Sequence, residues 1–260
     1  MTNKKITVAV CENPPELVAD SADWSALCGL VKGLAPELFL MNELPFGSWI
    51  SAGKKFLAAS WEKSRALHET GVKRLAELGA ETVALTVPRV VRRQRVNEAS
   101  TWTARLGLRP VHTKQFFPEE QGFYEARWFR NGPRHFRIAK AGGLRCGFLI
   151  CTELMFNELA RRYGRSGAQV ILVPRATGES LERWLVATRM AAIVSGCYVC
   201  SSNRAGCDSR GQKFGGEGWI VDPKGELVAR TSSYRPVASC EIDLNIVNAA
   251  QKEYPCYVKE

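Results

Sequence analysis

The chain has 260 residues, 45% of them hydrophobic, and sets 36 basic against 26 acidic side chains for a formal charge of +10. A chain of this length and composition buries a sizeable core, which excludes a disordered tail or a small disulfide scaffold. Nine cysteines, odd in number and scattered through apolar segments, fit a reducing cytoplasm.

No Pro/Gly/Ser-rich linker divides the sequence, so residues 1–260 are expected to form one domain. The opening MTNKKITVAVCENPPE lacks the longer apolar core and small-residue cleavage site of a signal peptide, and no apolar run reaches the length of a membrane span. The basic residues are spread over the chain. Their densest cluster, RVVRRQR at 89–95, has no interleaved aromatics to stack on bases, so it reads as a solvated or rim segment and nucleic acid is not an expected partner.

In chain order, KITVAV (5–10) predicts a strand, 21–35 a helix opening on Ser21, and ELFLMNEL (37–44) a second strand. Helical spacing runs through 56–80 to a stop at Gly79, and ETVALTVPRVV (81–91) predicts a third strand. Hairpin-like pieces follow around Leu106-Gly107 and Gly142-Gly143, then the apolar run Gly147-Phe148-Leu149-Ile150 before Cys151 and a short amphipathic helix. After these come QVILVPRA (169–176), a helix over 180–196, CYVCSSNRAG (197–206) and a hairpin turning at Asp222-Pro223-Lys224-Gly225. Alternating units that give way to hairpins in both halves predict two stacked sheets with helices on their outer faces, an α/β fold in a four-layer α-β-β-α sandwich.

Three reactive side chains each end a strand: Glu43 closes ELFLMNEL, Lys114 closes RPVHTK and Cys151 closes GFLIC. Strand ends are where α/β folds display chemistry, although each residue also has a bland reading as a cap, a solvated lysine or a core thiol. Thiol attack on a carbonyl or nitrile needs a base, a cation or donors for the developing charge, and an acid for the leaving nitrogen. Only three histidines, His68, His112 and His135, compete for the role of base. His112 shares a strand face with Lys114, so a Cys–His pair stands as an open alternative.

The segments LFLMNELPFGSW, HTKQFFPEEQGFYEARWF and GLRCGFLICTELMFNELARRYGRSGAQVILVPRA resemble the nitrilase superfamily of carbon-nitrogen hydrolases, as do VNEASTW and GEGWIVDPKGELVAR. The resemblance runs from Ile6 to about Leu244 and is most specific around the cysteine. It implies a catalytic set of Glu43, Lys114 and Cys151, with Glu125 as a second glutamate, and an amidase or N-carbamoyl hydrolase acting on a small amide-like substrate. It also implies a homodimer or larger assembly and no cofactor. Thr152 and Asn157 stand where the family usually has an aromatic residue and a proline, differences that bear on the substrate more than on the reaction.

Chemistry and resemblance together give Glu43 the proton of Cys151, and give Lys114 and the backbone N–H of Thr152 the oxyanion, with Glu125 holding Lys114. A cation beside Cys151 is expected to favour its thiolate. Arg175, which follows the strand VILVP, is expected to open onto the same rim and take a substrate carboxylate, or else to pair with Glu179, Glu182 or another acidic side chain and brace the loop. The alternatives are an acyltransferase or ammonia-supplying glutaminase on the same fold, and a metal module built on Cys197, Cys200 and Cys207.

Overall fold

The computed structural model describes residues 6–132 and 136–259, so His135 lies outside the described residues. Its first strand, β1 (Ile6–Asn13), leads to α1 (Ala22–Leu34), which is capped at Ser21, whose side chain accepts from the N–H of Trp24. Next come β2 (Leu38–Leu40), α2 (Ala58–Lys73), β3 (Thr82–Val91), β4 (Gln94–Thr103), β5 (Gly107–Thr113) and the four-residue α3 (Glu125–Trp128). The second half holds β6 (Ala139–Ala141), β7 (Leu144–Phe148), α4 (Asn157–Arg165), β8 (Val170–Pro174), α5 (Glu182–Ser195) and β9 (Tyr198–Cys207). Strands β10 (Lys213–Gly215), β11 (Trp219–Val221), β12 (Leu227–Arg230) and β13 (Val237–Ile242) precede α6 (Leu244–Ala250).

The strand order β5-β4-β3-β2-β1-β9-β8-β7-β6 is continuous, yet β1 and β9 meet only at Glu12↔Asn203 and Asn13↔Arg204. The strands therefore divide into two sheets joined at a corner. In the first, β1, β2 and β3 are parallel, and antiparallel β4, β5 and β13 complete it. In the second, β7, β8 and β9 are parallel, and β6, β10, β11 and β12 are antiparallel additions.

Strand alternation assigns the layers. Val8 and Val10 of β1 pack with Cys146 and Phe148 of β7 and Val170 and Leu172 of β8, so the two sheets lie face to face. Ala9 and Cys11 point the other way, into a cluster with Trp24, Leu27 and Val31 of α1. Ile171 and Val173 likewise turn toward Leu159 and Tyr163 of α4 and Ala187 and Ala191 of α5. The expected α/β sandwich is thus present, with helices outside both sheets. Close approach depends on Gly147, where an added Cβ would lie 2.6 Å from the Tyr163 ring, and on Gly164, whose added Cβ would collide with the backbone of Ser195.

Several expected elements are shorter. The helix over 56–80 ends as α-helix at Lys73 and continues as a 3₁₀ turn, Leu75–Leu78, to the left-handed Gly79 at φ 70°. The strand over 37–44 is a ladder only to Leu40, because the chain then turns through Leu44 at φ 45°. In the basic hairpin, Arg92 and Arg93 form the tip, while Arg95 stacks on Phe56 at 3.8 Å and donates to the carbonyl of Trp128. Among the described residues, no helix is long and apolar enough to cross a membrane.

Candidate active site

Glu43 follows the turn out of β2. Its backbone N–H donates to the carbonyl of Arg175 at 3.1 Å, and the next N–H, of Leu44, donates to Thr86 Oγ1 at 2.7 Å. The buried guanidinium of Arg204 donates to the carbonyls of Leu44, Gly47 and Pro15, fixing the loop beyond. The carboxylate of Glu43 is fully buried: Oε1 accepts from Lys114 Nζ and from Asn97 Nδ2, each at 2.7 Å, and Oε2 has no partner among the described residues.

Lys114 lies one residue beyond β5, and its N–H donates to the carbonyl of Asn97 at 2.9 Å. Asn97, on the neighbouring β4, therefore orients both the lysine backbone and the glutamate side chain. Nζ also donates to both oxygens of Glu125, at 2.9 and 2.7 Å, so all three ammonium protons go to glutamate oxygens. Glu125 opens α3, which is pinned by Trp128 Nε1 donating to the carbonyl of Gly53 at 2.7 Å.

Cys151 opens a 3₁₀ turn, Cys151–Met155, three residues past the end of β7. Its φ is 49°, in the left-handed region that a side chain with a Cβ seldom adopts, and such strain gathers at sites where geometry matters more than stability. The sulfur is 4% exposed and belongs to the inter-sheet core. A cavity of about 490 Å³ opens over it, lined among others by Glu125, Thr152, Phe123, Ala176, Thr177 and Trp184.

Electrostatics at the cluster are set by burial. Burial works against the ammonium of Lys114, but the carboxylates of Glu125 and Glu43 outweigh it and raise the pKa, keeping the lysine charged. Burial together with the charge of Glu43 pushes Glu125 up to about 8, although Lys114 pulls the other way. The thiol of Cys151 is pushed well above the ordinary range, by burial first and by Glu43 second; Lys114 and the N–H of Ala176 offset this only in part. The surroundings thus favour the thiol over the expected resting thiolate. A thiol, a carboxylate with one uncommitted oxygen and a permanently charged ammonium can supply a nucleophile, a base and charge stabilisation.

Of the sequence candidates, Glu43, Lys114, Glu125, Cys151 and Thr152 converge at this cavity or just beneath it. Arg175 does not open onto it. Its guanidinium is fully buried, donates to Ser201 Oγ at 2.6 Å, Thr177 Oγ1 at 3.3 Å and the carbonyl of Glu217 at 2.6 Å, and lies 3.8 Å from the centre of the Trp219 ring. Substrate binding by Arg175 is corrected to bracing, and without the expected acidic partners: Glu179 lies instead 3.9 Å from Lys213. The metal module is overturned too, because Cys197 faces the helix layer, Cys200 faces the opposite sheet and Cys207 is exposed. His68 is buried in α2, where burial lowers its pKa to about 3, and it lies against the carbonyl of Ser64. His112 reaches Glu153 at 2.8 Å. Asn97 and Glu153 were not singled out by sequence reasoning; Asn97 sits in the quoted VNEASTW and Glu153 in the polar pair after Cys151, but their contacts depend on sheet register.

The family model for carbon-nitrogen hydrolases matches residues 107–252. The bovine (Bos taurus) deaminated glutathione amidase is 31% identical over 113 residues, a segment that covers 43% of this chain and 34% of that protein. A hydrolase in the agr operon of Staphylococcus lugdunensis is 29% identical over 129 residues, covering 49% of this chain and 54% of that one. The chain thus spans well under two thirds of the curated relatives it matches. Among solved structures, a carbon-nitrogen hydrolase from Helicobacter pylori G27 superposes with a TM-score of 0.80 at 19% identity, over 97% of this chain and 94% of that chain. The C. elegans NitFhit protein gives 0.82 at 20% identity, over 99% of this chain and 65% of that chain. Motifs, fold and family match together place the chain in the carbon-nitrogen hydrolase family, within the nitrilase superfamily.

Proposed function

We propose that the protein hydrolyses a non-peptide C–N bond, in an amide or N-carbamoyl compound, through a thioester on Cys151. Glu43 takes the thiol proton as the sulfur attacks the carbonyl carbon, then gives it to the departing ammonia or amine. The oxyanion is held by the backbone N–H of Thr152 and by Lys114, and preorganised donors of this kind are worth about 3 kcal/mol each. Because the three lysine protons are already bonded, the oxyanion takes over one of the two now shared with Glu125. Glu43 next activates the water that cleaves the thioester, and no metal or organic cofactor enters the scheme.

The observation that carries this reading is the divided carboxylate of Glu43 inside the buried cluster, with one oxygen held by Lys114 and Asn97 and the other without a partner among the described residues. A general base needs an oxygen that can accept the thiol proton. Relatives named as amidases support amides over nitriles as the substrate class. The test is ammonia release across a panel of amides, N-carbamoyl compounds and nitriles, with intact mass reporting an acyl adduct on Cys151. Loss of both signals in Cys151→Ala supports the proposal, and ammonia release by that variant at the wild-type rate refutes it. Amine added to the assay separates hydrolysis from acyl transfer by the product formed.

A further inference from the structure

We propose that Glu153 and His112 form a buried clasp that sets the spacing between the Lys114 and Cys151 segments, which makes both of them positioning residues for the thiol chemistry. This inference rests on the reading of Glu43, Lys114 and Cys151 as one reacting set. Neither clasp residue lines the cavity over Cys151.

One carboxylate holds both segments. Oε1 of Glu153 accepts from the backbone N–H of Gln115 at 2.7 Å, and Oε2 accepts from the backbone N–H of Ile150 at 2.8 Å. Gln115 is the residue after Lys114, and Ile150 is the residue before Cys151. The bond to Ile150 is local, reaching back to the residue that precedes the 3₁₀ turn, but the bond to Gln115 crosses from the second sheet to the first. His112 Nε2 lies 2.8 Å from the same Oε2 and gives the carboxylate a third donor. Both side chains are completely shielded from solvent.

His112 is itself well placed to act as an anchor. It is on β5, two residues before Lys114, opposite Ala99 of β4 at the point where the register shifts. Its ring packs against Phe136 at a centroid distance of 4.8 Å. The clasp thus ties the strand that delivers the lysine to the turn that delivers the cysteine, across 38 to 41 residues of sequence. Removing the histidine donor leaves a buried carboxylate short of a partner, and it recovers one only by shifting the two segments. A misplacement of about 1 Å at reacting groups costs about 100-fold in rate.

The measurement is the rate of iodoacetamide alkylation at Cys151, followed on the full chain by peptide mass, which requires no knowledge of the natural substrate. His112→Phe keeps the packing against Phe136 and removes the donor; it is expected to slow alkylation at least tenfold while circular dichroism and Tm show a folded protein. His112→Gln restores an N–H donor without any capacity to act as a base, and is expected to return the rate to within threefold of wild type. Glu153→Gln, which cannot accept all three N–H groups, is expected to match His112→Phe and serves in its place if that variant does not fold. Alkylation of His112→Phe or, failing it, Glu153→Gln within threefold of wild type overturns the clasp. Failure of His112→Gln to exceed His112→Phe also overturns it, and points to histidine as the base. Glu43→Gln is the separate control: an unchanged alkylation rate there removes the reacting set itself and leaves the clasp variants to be judged on their own rates.

Discussion

Lys114 holds Oε1 of Glu43 at 2.7 Å, while Oε2 has no partner among the described residues, so the two oxygens of one carboxylate stand in different surroundings. In Glu43→Gln the amide oxygen must occupy the Oε1 place, because Lys114 and Asn97 both donate there. The NH₂ group then stands where a proton acceptor is needed. Ammonia release should fall by about 10²- to 10⁴-fold, the usual contribution of a general base, while the Tm stays within a few degrees of wild type. A variant with more than a tenth of wild-type kcat would remove Glu43 from the proton path.

For Cys151 the expected pH dependence follows from its raised pKa. Burial and Glu43 together outweigh Lys114, so the surroundings favour the thiol over the thiolate. The alkylation rate of Cys151 should keep climbing with pH and show no plateau at or below the ordinary thiol value of about 8.5. A plateau near neutral pH would mean that the cation dominates after all.

Glu125 makes a prediction about stability. Its pKa is raised from 4.5 to about 8, so across that interval the folded chain holds a proton that the unfolded chain has lost. Folding stability from this group therefore falls as pH rises from about 4.5 to about 8. Glu125→Gln removes the titration, and its Tm relative to wild type should increase by at least about 2 °C between pH 5 and pH 8. Activity should drop in the same variant, because the grip on Lys114 is halved. A Tm difference that is constant with pH would contradict the shift.

Arg175→Ala should act on the fold rather than on substrate choice. It removes a buried guanidinium with partners at Ser201, Thr177 and the carbonyl of Glu217 and a ring contact at Trp219, a loss of about 3 kcal/mol, the upper end of the usual range for a point substitution. Thermal unfolding should show a clearly lowered Tm. Among molecules that remain folded, kcat/KM should fall equally for matched substrates with and without a carboxylate, and a selective loss on the acidic one would restore Arg175 to the pocket.

The contrast between Cys151 and Arg175 shows what the sequence could and could not reveal. Both follow apolar runs, and the length and composition of those runs located β8 and all of β7 but its end, which falls at Phe148 and not at Cys151. What it lacked was the backbone direction beyond each strand. Cys151 turns out through a left-handed φ into the cavity, whereas Arg175 continues inward against Trp219, and no local pattern separates the two courses. Glu43 and Lys114 were legible because each ends a run and carries an unusual charge there. Asn97 was not, since its importance comes from standing opposite Pro88 in one ladder and beside Lys114 in the next. The helix over 56–80 was legible in type but not in its end, where Arg74 caps α2 with a non-helical backbone.

The corner where β1 meets β9 is only two residue pairs long, and the site is assembled across it. Glu43, Lys114 and Glu125 come from the first sheet and its loops, and Cys151 comes from the second. Neither sheet contains a complete reacting set, and the first is closed by β13, which follows every strand of the second in the sequence. Recovery of activity during refolding therefore reports the docking of the sheets, a late and non-local event, and trails the return of secondary structure.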